Sequence, residues 1–218
     1  MHGKENGKGL IYMAKGLYTI INWDPKSQTA VDDEEIEYEP GKATLYTFRY
    51  SKDFPISIST TRPETKVGDT AVAVHPSDKR YKEYIGQEFK NLEFAGTKLN
   101  LKIIGDPSVD PKFGTGALGV TPAHSKVDAK IAIRHNLPSI QVINEYVQMA
   151  KEAGPFLVGK KTTEAREIVV DYLKENDLLE GEEIIDQNIP KAQRSGGTIE
   201  PLPKRHQFFV NVNKPISE

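Results

Sequence analysis

The apolar residues of this chain come in short alternating runs, and most of these runs end at a proline, glycine or aspartate. Tyr18 to Trp23 is a β-type run closed by Asp24-Pro25. Leu45 to Tyr50 sets Tyr46, Phe48 and Tyr50 on one side, and Ile56 to Thr60 alternates after the turn Asp53-Phe54-Pro55. Ala71 to Val74 is wholly apolar and stops at His75-Pro76. Leu99, Leu101 and Ile103 alternate before Gly105-Asp106-Pro107, and Leu118 to Thr121 and Ile140 to Ile143 complete the series. A period of two puts alternate side chains on opposite faces, so these runs predict strands too short to bury a core alone.

Helical signals are fewer. Ser77-Asp78 predicts the cap of a short helix that stops at Gly86. Pro122-Ala123-His124 opens a helix through about Asn136, with proline in the first turn, where its missing N–H costs nothing. Ala165, Ile168, Val169, Tyr172 and Leu173 fall at i, i+3, i+4, i+7 and i+8, an amphipathic helix capped by Thr162 or Thr163. Residues through Gly16 show no period, and the tail from Asn188 is proline-rich and basic, with a last β-type patch Phe208-Phe209-Val210. The expected fold is mixed α/β, a β-barrel-like core of short strands with peripheral helices.

The 218 residues suffice to bury a core, and 37% hydrophobic with 28% charged residues is an ordinary globular composition. No apolar run approaches the ~20 residues of a membrane-spanning helix, and no signal peptide is visible, so no membrane partner and a cytoplasmic location are expected. With no cysteine, thiolate chemistry and cysteine metal sites are excluded. A net charge of −2 with mixed signs gives no field for gripping a long duplex, although one inserted nucleic-acid end remains compatible.

Three motifs invite chemistry. Gly114-Thr115-Gly116-Ala117-Leu118-Gly119 fits the dinucleotide pattern G-x-G-x-x-G. That pattern needs a helix starting within it, whereas Val120-Thr121-Pro122 continues as a strand, so the glycines read instead as sites of close backbone approach. His124 and Asp128 stand four apart on one predicted helix face. Two ligands without a third make no metal site, and His124 reads as structural or capping. Ser59-Thr60-Thr61-Arg62-Pro63-Glu64-Thr65 clusters hydroxyls and an arginine where a strand ends. By composition alone it is a hydroxyl-rich turn, and no nucleophile elbow accompanies it.

Taken in order, these segments resemble one family. Thr60-Thr61-Arg62-Pro63-Glu64-Thr65 followed by Gly68-Asp69-Thr70-Ala71-Val72-Ala73-Val74-His75-Pro76 is similar to the editing insertion of valyl-tRNA synthetases. Phe113-Gly114-Thr115-Gly116-Ala117-Leu118, Val120-Thr121-Pro122-Ala123-His124, Arg134-His135-Asn136-Leu137-Pro138 and Ile199-Glu200-Pro201 carry the same resemblance. Leucyl and isoleucyl enzymes have related insertions, so an editing domain of either is an alternative. A degenerate module that binds a tRNA end without hydrolysis is another.

The resemblance implies a division of the chain. Residues 1–40 would hold an entering segment and β-ribbon stem, 41–185 the editing core, and 186–218 the returning stem. Leu10-Ile11-Tyr12 resembles the end of a parent helix, and Gln207-Phe208-Phe209-Val210 a strand returning to the ligase domain. The two nucleotide-binding signatures of that domain do not occur here, so ATP and magnesium would belong to the absent part and no cofactor to this chain. Many relatives tie the insertion's base with a zinc ribbon. Its two Cys-x-x-Cys pairs would fall at Asp24/Ser27 and Ala192/Ser195, so the stem is expected to pair without metal.

The resemblance also implies roles. The activity would be hydrolysis of threonine misattached to valine tRNA, with the tRNA 3′ end, threonine and the rest of the synthetase as partners. Asp128 would meet the substrate's α-ammonium. Thr60, Arg62 and Thr65 would form one wall and Thr121 the other. Phe113 would stack on the terminal adenine, Gly114 and Gly116 would let the backbone approach the terminal ribose, and His124 and Ser125 would line the site. Relatives often carry lysine where this chain has Gly119, and aspartate where it has Ser125.

Overall fold

The structure is a computed structural model that describes residues 11–13, 19–204 and 208–210. Of the entering segment, residues 1–10 and 14–18 lie outside the described residues, as do 205–207 and 211–218 of the returning one. The strands are β1 (Ile11–Met13), β2 (Thr19–Asp24), β3 (Thr29–Val31), β4 (Ile36–Phe48), β5 (Ile58–Thr60) and β6 (Ala71–Val74). They continue with β7 (Glu88–Phe94), β8 (Thr97–Gly105), β9 (Ala117–Val120), β10 (Leu179–Ala192), β11 (Glu200–Lys204) and β12 (Phe208–Val210). The helices are α1 (Lys126–His135) and α2 (Thr162–Glu175), with short 3-10 turns between strands. The fold is mixed α/β, built of short strands and few helices, as the alternation predicts.

The strands form four sheets, in the orders β1-β12, β10-β4-β5, β11-β2-β3 and β7-β8-β6-β9. β6 lies inside the largest sheet, parallel to β8 and antiparallel to β9. That position explains why Ala71-Val72-Ala73-Val74 is apolar throughout, since both faces are covered. Val72 and Val74 join the main core with Phe48, Tyr50, Ile58, Leu101 and Ile103, where α2 contributes Ala165, Val169 and Leu173. Ala71 and Ala73 face the other way, into a second cluster with Ile104, Val120 and Ile131 of α1. β5 packs beside β9, bringing the β4 sheet edge-on to the β6 sheet. That seam carries the candidate site.

Below the seam runs a stem. β4 and β10 pair antiparallel from Phe48/Leu179 to Ile36/Ala192, and β2 pairs with β11. The ladder crosses 40/41 and 185/186 without a break, so ribbon and core share two continuous strands.

Five local expectations need correction. Ser77-Asp78 starts no α-helix: only Lys82–Tyr84 forms a 3-10 turn, because the Asp78 carboxylate bonds to the N–H and guanidinium of Arg80 instead. α1 begins at Lys126, not Pro122, after Ser125 caps it. α2 has Lys161 at its N-cap and no side-chain cap, since the Lys161 carbonyl accepts the first helical bond, from Ala165 N–H, leaving Thr162 and Thr163 inside the first turn. Ile140 to Ile143 makes only a bridge between Ile143 and Met149, because the N–H groups of Val142 and Ile143 go to His124. Ile11 and Tyr12 belong to a strand paired with Phe208–Val210, not to a helix end.

Candidate functional site

Three chain segments meet at the seam: the turn after β5 (residues 60–69), the glycine loop with β9 (113–121), and the start of α1 (124–128). The turn is held by its own groups. Thr60 Oγ1 accepts the N–H of Arg62 at 3.0 Å, and Thr65 Oγ1 donates to the Arg62 carbonyl at 2.9 Å. Pro63 opens the 3-10 turn Pro63–Gly68, every residue of which is buried. The glycine loop lies against β5, since a side chain on Gly114 would come within 2.6 Å of Ser59 Cβ.

The start of α1 is a reciprocal cap. Ser125 Oγ accepts the N–H of Asp128 at 3.2 Å and donates to Asp128 Oδ1 at 3.0 Å. Asp128 Oδ2 accepts the N–H of Thr121 at 2.8 Å, so one carboxylate holds the capping hydroxyl and pins the end of β9. Burial holds the Asp128 carboxyl above its ordinary value, against the opposing pull of Lys66. Each of its oxygens keeps a second lone pair.

A buried ionic cluster lies beneath. Lys66 Nζ donates to Thr121 Oγ1 at 2.6 Å, to the Gly119 carbonyl at 2.9 Å and to Asp69 Oδ1 at 3.2 Å. Asp69 also accepts from the hydroxyls of Tyr50 and Thr121. Burial pushes the carboxyl of Asp69 and the phenol of Tyr50 up. Gly119 itself has no room for a side chain: a Cβ would collide with Asp69 Oδ2 and lie 2.6 Å from Tyr50 Oη. The cation beside residue 119 is therefore Lys66.

Arg62 belongs to a second cluster. It meets both oxygens of Glu200 at 2.9 Å and Glu64 Oε1 at 3.3 Å, while Arg166 of α2 makes a two-pronged contact with Glu64 at 2.8 Å. Two arginines and two glutamates alternate, joining the turn to α2 and to β11 of the stem. His124 completes the link. Its Nε2 accepts from Val142 and Ile143 N–H, so Nδ1 carries the proton and donates to the Pro201 carbonyl at 3.2 Å. Burial, with Arg62 nearby, lowers its pKa to about 3. It is a neutral strut between residues 142–143 and Pro201.

The residues named from the sequence therefore divide. Thr60, Arg62, Thr65, Thr121, His124, Ser125 and Asp128 come together. Phe113 sits on the adjoining loop, 57% exposed. Gly116 turns its α-carbon toward the Pro111 carbonyl and Arg80, and Gly114 toward Ser59, so both glycines are required by the protein's own packing. The groups that sequence reasoning missed are Lys66, Tyr50 and Arg166. Glu64, Asp69 and Glu200 stood in quoted motifs without a role. A cavity of about 360 Å³ lies beside Trp23 and Tyr146, and one of about 550 Å³ along α2 is lined by Arg166 and by Tyr46, the cross-strand partner of Thr60.

The chain is 43% identical over 214 residues to a valine–tRNA ligase of Petrotoga mobilis, an alignment covering 97% of this chain. Over 97% of its length the chain matches a segment of a valine–tRNA ligase. A valine–tRNA ligase of Lactobacillus johnsonii is also 43% identical over 97% of the chain, and one of Aquifex aeolicus is 41% identical over 95%. The chain spans 24%, 23% and 19% of the length of these three relatives. No family model matches it. Among solved structures, a leucyl-tRNA synthetase of Agrobacterium radiobacter, titled a ternary complex with tRNA and LeuAMS, aligns at 17% identity with a TM-score of 0.42. That alignment covers 82% of this chain and 30% of the other.

At the stem's base, positions 24, 27 and 195 gather around a carboxylate. Asp24 Oδ1 accepts the N–H of Lys26 at 2.9 Å, Lys26 Nζ donates to the Ser195 carbonyl at 2.6 Å, and Ser195 Oγ accepts Gly197 N–H at 2.9 Å. Burial pushes the Asp24 carboxyl up, but the hydroxyls of Ser195 and Ser27 and the nearby N–H groups outweigh it and hold it below its usual range. Among the described residues, no group of three or more histidines or carboxylates is placed to hold a metal ion. No described helix is long and apolar enough to cross a membrane.

Proposed function

We propose that this chain is the editing module of a valine–tRNA ligase and hydrolyses the ester that joins threonine to valine tRNA. Threonine and valine are a standard pair of near-isosteres that a hydrophobic pocket admits together. A correcting site must therefore be polar, so that threonine's hydroxyl finds partners while valine leaves buried groups unpaired. The observation that carries this reading is the convergence of Thr60, Thr65, Thr121, Ser125 and Asp128 at one seam, beside the exposed ring of Phe113.

In this reading Phe113 receives the terminal adenine, which places the ester over the seam. Asp128 offers its free lone pairs to the α-ammonium, and the threonine hydroxyls and backbone groups orient a water against the ester carbonyl. No protein nucleophile and no cofactor enters. An ester leaves more readily than an amide, so positioning carries the rate. The 3′ end of the charged tRNA, threonine and the remainder of the synthetase are the partners.

A second reading, a tRNA-end-binding module without hydrolysis, is favoured by one observation. Arg62 spends its Nε and Nη2 on Glu64 and Glu200, and both Asp128 oxygens already accept a bond.

The test is to incubate the chain with valine tRNA charged with threonine or with valine and follow ester hydrolysis. Release of threonine with valine spared supports editing, and Asp128→Asn, which keeps an acceptor for Thr121 N–H, should remove it. Hydrolysis of neither ester favours the binding module. Hydrolysis of both removes the polar-discrimination argument.

A further inference from the structure

Lys66 is 4% exposed and its ammonium has three partners within the core. Its surroundings are acidic. Asp69 lies against it from the end of the same turn, and Tyr50 reaches that carboxylate from beyond β4. Asp128 acts on it from α1, and the neutral ring of His124 also feels its charge. Two buried carboxylates face one cation, and Asp69 raises the proton affinity of Asp128. Buried charge of one sign is costly without a partner, and a carboxylate deprived of its cation takes up a proton.

The same ammonium also fixes geometry. It donates to the hydroxyl of Thr121 while that hydroxyl donates to Asp69, so the Thr121 side chain has one orientation. It holds the carbonyl of Gly119 two residues earlier. Asp128, through Thr121 N–H, is tied to the end of the same strand. A side chain at 119 would have to displace Asp69 and Tyr50, because its Cβ would strike the carboxylate that anchors Lys66.

We propose that Lys66 is a positioning residue of the deacylation site: it orients Thr121 and fixes the end of β9 to which Asp128 is bonded, and so prepares Asp128 to receive an α-ammonium. The proposal rests on the editing reading, but its own test does not depend on that reading alone. Lys66 acts through Thr121 and Asp128 and touches no substrate.

The experiment compares the chain with Lys66→Met in two measurements. The first is the rate of threonyl-tRNA deacylation against pH. The variant should lose about tenfold or more in kcat/KM at pH 7, with the acid limb of its profile moved upward and part of the loss recovered at higher pH. A role confined to stability would lower the active fraction without moving that limb. The second is titration of the aspartate carboxyl carbons by NMR, in which Asp128 should titrate at higher pH in the variant. Superimposable rate profiles and an unmoved Asp128 titration overturn the proposal. A wild-type chain that hydrolyses no threonyl ester overturns the editing reading instead, and the carboxyl titration still decides whether Lys66 acts on Asp128. Should Lys66→Met not fold, Lys66→Gln, which keeps a donor for Thr121 and Gly119 without the charge, carries the same expectations.

Discussion

His124 Nε2 accepts the backbone N–H of Val142 at 2.9 Å, across 18 residues of sequence. The bond requires an unprotonated Nε2, and burial lowers the imidazole pKa from 6.5 to about 3. The unfolded chain therefore binds one more proton than the fold between these values. Stability from His124 is fully present above about pH 6.5, and it is lost as pH falls toward 3. The effect is on the order of 5 kcal/mol across that window. Asp69, Asp128 and Glu200, whose carboxyls burial raises, contribute with the opposite slope. The measurement is therefore a difference: urea unfolding of wild type and His124→Gln at pH 4.5 and 7. The glutamine carbonyl can still accept the two N–H groups but gains no charge. The wild type should lose more stability than the variant on acidification, and equal losses would remove His124 as the cause.

Glu200 is the stem's hold on the core. It accepts two bonds from Arg62 and is 7% exposed, whereas Arg62 keeps a partly exposed edge. Glu200→Ala leaves two arginines to share Glu64. Removing one partner of a buried pair costs more than the pair is worth, here about 2–4 kcal/mol. Replacing both, as Arg62→Met with Glu200→Leu, should recover more than half of that loss, because neither charge is then stranded. Denaturant midpoints of wild type and the two variants check this, and a Glu200→Ala variant as stable as wild type would show the cluster to be energetically idle.

These residues mark where sequence reasoning stops. β6 was legible because burial on both faces leaves a wholly apolar run, and α2 because its apolar face has the helical period. β10 was not: Glu180, Glu182, Glu183 and Asp186 lie in a ribbon open to solvent, so its pairing with β4 rests on backbone bonds rather than on a hydrophobic face. The 140–143 run failed for a different reason. Its N–H groups serve His124, a partner no periodicity encodes. Within the site, Thr60, Thr121 and Asp128 could be named because their motifs resemble a family. Lys66 could not, since a lysine in a polar turn looks solvated until the fold closes β9 over it. Arg62 and Glu200 stand 138 residues apart, and only the stem's return brings them together.

Phe113 offers the sharpest separation of binding from folding. Its backbone is fixed, with Phe113 N–H donating to the Asp110 carbonyl at 3.3 Å and Gly116 N–H to the Phe113 carbonyl at 2.8 Å. The ring itself is 57% exposed, so it adds little to the core. Phe113→Ala should therefore leave stability within about 0.5 kcal/mol of wild type. If the ring receives the terminal adenine, the same change removes a stacking contact of ~1–3 kcal/mol. That corresponds to a rise of about 5- to 150-fold in KM for threonyl-tRNA, with kcat nearly unchanged because the stack forms equally in ground and transition states. Phe113→Trp, which keeps a π-face, should restore KM. Steady-state deacylation by the three proteins, beside their thermal melts, decides the matter. An alanine variant with wild-type KM would place the tRNA end elsewhere on the seam.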